Sequence, residues 1–124
     1  HIVVEACESD ASFLYLNPKI SIITNIDADH TWSYGDDFNN IRHIFLEVIQ
    51  KLPKEDGLAI LCLDDPEIQA LLPNISRPIL TYGFDQNASV RATDFFQRGT
   101  QTFFKIHYFD EPHVEAVLNL PGKH

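Results

Sequence analysis

A change of hydrophobic period at Pro78 divides this chain, and the patterns on either side of it restrict what the chain can build. Before Pro78, short apolar runs alternate with segments of helical spacing, the sequence form of a layered α/β structure. Residues 2–5 and 20–24 read as buried strands. Between them Ser9 or Asp10 caps a short helix carrying Phe13, Leu14 and Leu16, which Asn17-Pro18 stops. Over residues 37–52, Phe38, Ile41, Phe45, Val48, Ile49 and Leu52 recur at helical spacing, with Asp36 or Asp37 as cap. Asp56-Gly57 turns the chain into an apolar run at 58–63, and Asp65 followed by Pro66 opens a further helix ending near Leu72.

After Pro78 only strand-like runs remain, at 79–84, 89–96, 102–109 and 113–120, broken by Arg98-Gly99 and Asp110-Glu111-Pro112. In the last run Val114, Ala116 and Leu118 alternate with His113, Glu115 and Val117, the spacing of a strand with one buried face. The expected fold is therefore α/β: a three-layer, mostly parallel sheet with flanking helices, plus a small antiparallel subsheet at the C-terminal end. No repeat or flexible linker separates the halves, so one compact unit is expected.

With 124 residues, 44% of them hydrophobic, the chain has the size of one domain or part of one. Residues 1–6 already read as a strand and the chain holds no methionine, so a piece of a longer protein is expected. A formal charge of -9, with lysines and arginines scattered singly, argues against nucleic acid as a partner. Cys7 and Cys62 each sit in or beside an apolar run and form no disulfide framework, which points to a reducing cytoplasm. No stretch approaches the roughly 18 apolar residues that would span a bilayer, so no membrane partner is expected.

Two polar clusters follow the first two strands. The first is Glu5-Ala6-Cys7-Glu8-Ser9-Asp10 and the second Thr24-Asn25-Ile26-Asp27-Ala28-Asp29-His30. Ligands of open α/β sheets bind beyond the carboxyl ends of the strands, and carboxylates there can hold Mg²⁺, a hard cation that favours oxygen. The same residues also suit a capped helix start and a solvated loop. Two neighbouring parallel strand ends that both carry carboxylates favour a phosphate-handling crevice. Asp64-Asp65-Pro66 is accounted for by helix capping, His43 falls on the polar side of the helix expected over 37–52, and His107 and His113 lie in strand patterns without paired ligands. The sequence contains no C-x-x-C pair, no nucleophile elbow and no G-x-x-x-x-G-K-[ST] phosphate loop.

The run from Val4 through Glu5-Ala6-Cys7-Glu8-Ser9-Asp10-Ala11-Ser12 to Phe13 and Leu14 resembles the E-A-D-E-S-D-A-S-F-L segment of the alanine-adding branch of the muramyl (Mur) ligase family. Thr24 to His30 resembles the T-N-I-[ED]-A-D-H segment of the same branch, and the two stand in the family's order. Weaker matches are Tyr34-Gly35 with Asp37 and Phe38, Asp64-Asp65-Pro66, Thr81-Tyr82-Gly83-Phe84, and Leu118 through Pro121-Gly122-Lys123-His124, so the likeness covers the whole chain.

That resemblance implies an ATP- and Mg²⁺-dependent bacterial cytoplasmic enzyme of three domains, with UDP-N-acetylmuramate and L-alanine as substrates. Residues 1–124 would be most of its central, ATP-binding domain, without the upstream phosphate loop and the flanking domains, and inactive alone. By matched position Glu8 and His30 would be metal-binding and catalytic residues. Ser9, Asp10 and Asn25 would lie on the muramate side, Asp29 would orient this edge, and His124 would meet the nucleotide through a P-G-x-H-N motif. Cys7 and Trp32 depart from the pattern, each standing where the family commonly has aspartate. Phe45 stands where some relatives carry a modified lysine, in agreement with the alanine-adding branch. Apart from the resemblance, the residues also allow a non-catalytic α/β binding module or a metal-dependent phosphohydrolase.

Overall fold

The computed structural model describes residues 1–6, 12–27 and 38–122. A 3₁₀ turn at Ser12–Tyr15 leads into β1 (Ile20–Ile23). The order continues with α1 (Phe38–Gln50), β2 (Leu58–Cys62), α2 (Pro66–Leu71), a second 3₁₀ turn at Leu72–Asn74, β3 (Ile79–Gly83), β4 (Val90–Arg98), β5 (Gln101–Tyr108) and β6 (Val114–Leu118). The six strands among the described residues form one sheet in sequence order. β1, β2, β3 and β4 run parallel, and β5 and β6 add antiparallel to β4. The expected α/β class, with a mainly parallel first half and an antiparallel end, is what the chain adopts.

Two successive crossovers, β1 to β2 through α1 and β2 to β3 through α2, step in the same direction along the sheet. Right-handed connections that do so leave both helices on one face. Their apolar stripes meet there: Ile41, Phe45 and Ile49 of α1, with Leu52 just beyond its end, pack with Ile68 and Leu71 of α2 over Ile23, Ala59 and Leu61 of the strands. β2 alternates partly buried and buried residues, so Ala59 and Leu61 face this core while Leu58, Ile60 and Cys62 face the opposite side. The Phe13 ring closes the core edge against Phe45, with ring centroids 5.5 Å apart. Arg77 fixes the far end of α1, where its Nε donates to the Leu52 carbonyl at 2.8 Å and its Nη2 to the Gln50 carbonyl at 2.6 Å. A cation is favourable at that end, where the last carbonyls lack helical partners.

The antiparallel strands are not a separate meander. β3 and β4 pair only where one ends and the other begins, Tyr82 with Val90 and Gly83 with Arg91. Because β4 starts beside the end of β3, the connection need not return along a full strand. The short stretch 84–89 therefore replaces the long crossover that parallel pairing ordinarily demands. Beyond that point β4 runs on past β3 and turns the sheet antiparallel, with a register shift between Thr93 and Phe96 where Asp94 takes φ 53°. Gly99, at φ 63°, supplies the turn into β5.

Several expectations are corrected. Residues 2–5 form no strand, and Ile2 and Val3 are 92% and 95% exposed. Apolar sequence alone does not make a strand without a hydrogen-bonded neighbour, and among the described residues β1 ladders only with β2. The short helix carrying Phe13 and Leu14 is a 3₁₀ turn that ends at Tyr15, before Leu16. β6 does not bury one face either, because Val114 and Leu118 are exposed and only Ala116 is partly covered, as befits an edge strand. The expected caps Ser9, Asp10, Asp36 and Asp37 lie outside the described residues. No described helix is long and apolar enough to cross a membrane.

Candidate functional site at the carboxyl ends of the parallel strands

Parallel pairing brings the carboxyl ends of β1, β2 and β3 to one rim, so the residues that follow each strand become neighbours. Thr24 and Asn25 leave β1, Asp64 and Asp65 follow β2, and Phe84 and Asp85 follow β3. A cavity of about 590 Å³ opens there, lined by Thr24, Asn25, Cys62, Asp64, Tyr82 and aromatic rings of the neighbouring strands.

The two adjacent aspartates hold this rim together. Asp65 is the N-cap of α2: its Oδ1 accepts from the Glu67 N–H at 2.7 Å and the Ile68 N–H at 3.4 Å, with Pro66 in the first turn. This is the capping role read from the sequence. Its other oxygen, Oδ2, accepts from the Ile26 N–H at 2.7 Å and so ties the loop after β1 to the end of β2. Asp64 turns the other way. Its carboxylate accepts from the Phe84 N–H at 3.0 and 2.9 Å and from the Asp85 N–H at 2.8 Å. Gly83 permits that approach, since it takes φ 144° and a Cβ there would stand 2.7 Å from the Asp64 carboxylate.

Tyr82 lies between these groups. Burial, then the neighbouring Cys62 thiol and Asp64 carboxylate, push its phenol up to about 12, so it stays protonated across the neutral range. On the far side of the loop, Thr81 Oγ1 accepts from the Ser89 N–H at 3.0 Å, which closes stretch 84–89 onto β3.

A second cleft, of about 400 Å³, lies beside β1 and is lined by Glu5 and Ala6 together with Thr24, Asn25 and Phe45. Glu5 and Ala6 of the first polar cluster and Thr24 and Asn25 of the second thus share one cleft. Asn25 is exposed on its wall, where its amide donates to Thr24 Oγ1 at 3.4 Å. Of the other candidates, Glu8, Ser9, Asp10, His30 and His124 lie outside the described residues, as do Cys7, Asp29 and Trp32. Among the described residues no three histidine, cysteine or acidic side chains gather as a cation site. The bond from Asp65 to Ile26 and the bonds from Asp64 to stretch 84–85 escaped the sequence reading. A pair of aspartates where one cap would suffice was the available signal.

A parallel sheet with helices laid across one face and a polar rim at its carboxyl ends defines the class of α/β ligand-handling domains. The chain belongs to the Mur ligase middle domain family, whose model matches residues 1–124. It is 47% identical over all 124 residues to a UDP-N-acetylmuramate–L-alanine ligase of Hydrogenovibrio crunogenus, and it spans 27% of that protein's length. Among solved structures it resembles a MurF of Acinetobacter baumannii with a TM-score of 0.73 at 19% identity, covering 92% of this chain and 24% of that one. It also resembles the MurF ligase of Thermotoga maritima in complex with ADP, with a TM-score of 0.64 at 21% identity, covering 81% of this chain and 22% of that one. At those identities the structural likeness bears on the fold alone.

Proposed function

We propose that the chain is part of the central domain of a bacterial cytoplasmic ligase that joins L-alanine to the carboxylate of UDP-N-acetylmuramate at the expense of ATP. The observation that carries the reading is the 47% identity, over the whole chain, to a ligase of that name. The position of Thr24, Asn25 and Ile26, which open the T-N-I-D-A-D-H segment, beside the carboxyl ends of β1 and β2 supports it, because phosphate chemistry on such sheets takes place there.

A carboxylate is a poor acyl donor, so the chemistry needs a leaving group. The muramate carboxylate oxygen displaces ADP from the γ-phosphorus of ATP. The alanine amine then adds to the resulting acyl phosphate, loses a proton and expels inorganic phosphate. Glu8 and His30 offer an oxygen and an imidazole nitrogen, a donor pair compatible with a divalent cation, and would hold Mg²⁺. The cation would offset the negative charge gathered where phosphates and carboxylate meet. Ser9, Asp10 and Asn25 would line the muramate side, and His124 the nucleotide side.

The test uses the full-length protein and measures phosphate release while ATP, UDP-N-acetylmuramate and L-alanine are omitted in turn. Phosphate is expected only with all three present, matched one for one by alanine incorporation. Release without L-alanine would indicate a phosphohydrolase, and no turnover in any mixture would indicate a binding module.

A further inference from the structure

The loop after β1 carries, in residues 24–30, the Asn25 and His30 to which the proposed function assigns work. Its described part is held to the rest of the rim by a bond from outside the loop: Oδ2 of Asp65 accepts from the Ile26 N–H at 2.7 Å. Ile26 is 5% exposed and packs in the core, so its backbone is fixed both by its side chain and by this carboxylate. The other oxygen of Asp65 is engaged by the first turn of α2, which restrains the carboxylate itself. One side chain therefore spans two elements 39 positions apart, and each of its oxygens has a separate task. Capping alone would need only one of them.

We propose that Asp65 is a positioning residue. Through Ile26 it sets the direction in which the chain leaves β1 toward His30, the cation-binding residue that the proposed function assigns to this segment. The proposal rests on the ligase reading for what is positioned, but the anchoring itself can be tested without that reading. Outer groups that orient metal ligands typically matter by about 10- to 100-fold in metal affinity or activity when removed.

Asp65→Ser and Asp65→Asn separate the two tasks in the full-length protein. Serine caps helices well, but its single hydroxyl on Cβ cannot serve α2 and also reach Ile26. Asparagine keeps one acceptor oxygen and turns the other into a donor, which faces the Ile26 N–H without bonding it. Two readouts are compared with the unsubstituted protein: amide hydrogen exchange at Ile26 and Ile68, and the Mg²⁺ dependence of ligation.

The expected result for both variants is exchange at Ile26 faster by about tenfold or more, with Ile68 changed far less. The Mg²⁺ concentration for half-maximal rate should rise by about tenfold, alongside only a small fall in the thermal midpoint. Three results would overturn the proposal: unaltered exchange at Ile26, equal acceleration at Ile26 and Ile68, or faster Ile26 exchange with unaltered Mg²⁺ dependence and kcat. Absence of ligation in the unsubstituted protein would overturn the ligase reading instead. The exchange comparison would then decide the anchoring on its own.

Discussion

Asp64 and Asp65 are adjacent in sequence, yet each is bonded to a different stretch of chain, and between them they join the carboxyl ends of β1, β2 and β3. Gly83 is the partner that makes the Asp64 contact possible. In Gly83→Ala the new methyl would meet the Asp64 carboxylate at a backbone angle unfavourable to L-residues. The expected cost is about 1–3 kcal/mol, read as a lower urea midpoint with an unchanged slope. Tyr82 gives a pH signature. Its phenol, raised to about 12 by burial and by Cys62 and Asp64, stays protonated in the folded chain where the unfolded phenol, near 10, begins to ionise. The unfolded state then binds fewer protons, so stability falls as pH rises from about 10 to about 12. Tyr82→Phe should lessen that fall, and urea midpoints measured across this range would show it. Glu8→Gln in the full-length protein should lower turnover by about 100-fold or more while leaving the thermal midpoint nearly unchanged. Equal losses of both would mean a structural carboxylate. At this scale the sequence disclosed local chemistry only. Asp65-Pro66 was legible as a cap because capping involves the next three residues, whereas the bonds of Asp64 to Phe84 and Asp85 exist only because β3 lies beside β2.

Among the elements, α1 was the most legible, because six apolar residues at helical spacing leave little choice of face. Its burial carries a large energetic weight. Phe45→Ala should cost on the order of 3–5 kcal/mol in equilibrium unfolding, since the ring is 8% exposed and packs on Phe13. Arg77 was not legible, since a lone arginine in a loop has no local pattern. Its bonds to the Gln50 and Leu52 carbonyls give it a definite role at the end of α1. Arg77→Ala should therefore lower stability by about 1–2 kcal/mol, and Arg77→Lys should recover only part, lacking the planar fork that reaches both carbonyls. The strand expected at 2–5 and the buried face expected for β6 failed for one reason. Alternation and apolarity describe a segment, while strand formation and burial depend on what lies next to it. β1 and β6 are the two ends of the sheet, where that information is missing from the local sequence.

For the whole molecule, the α/β class followed from the alternation of strand-like and helical runs before Pro78, but the single continuous sheet did not. Its continuity rests on the two-position overlap of β3 with β4, which no hydrophobic pattern encodes. The chain spans 27% of the length of the alanine ligase it matches, so on the proposed function chain 1–124 alone should release no phosphate from ATP with both other substrates present. The account depends above all on geometry: the turn bearing Glu8 and the loop bearing His30 must meet at the rim that Asp64 and Asp65 hold together. The most direct measurement is a crystal structure of the full-length protein with Mn²⁺ and a non-hydrolysable ATP analogue, with the metal located by anomalous scattering. The expected result is a metal ion bound by the Glu8 carboxylate and the His30 imidazole beside Asn25. The two side chains on opposite faces of the sheet, with the metal bound elsewhere, would contradict it.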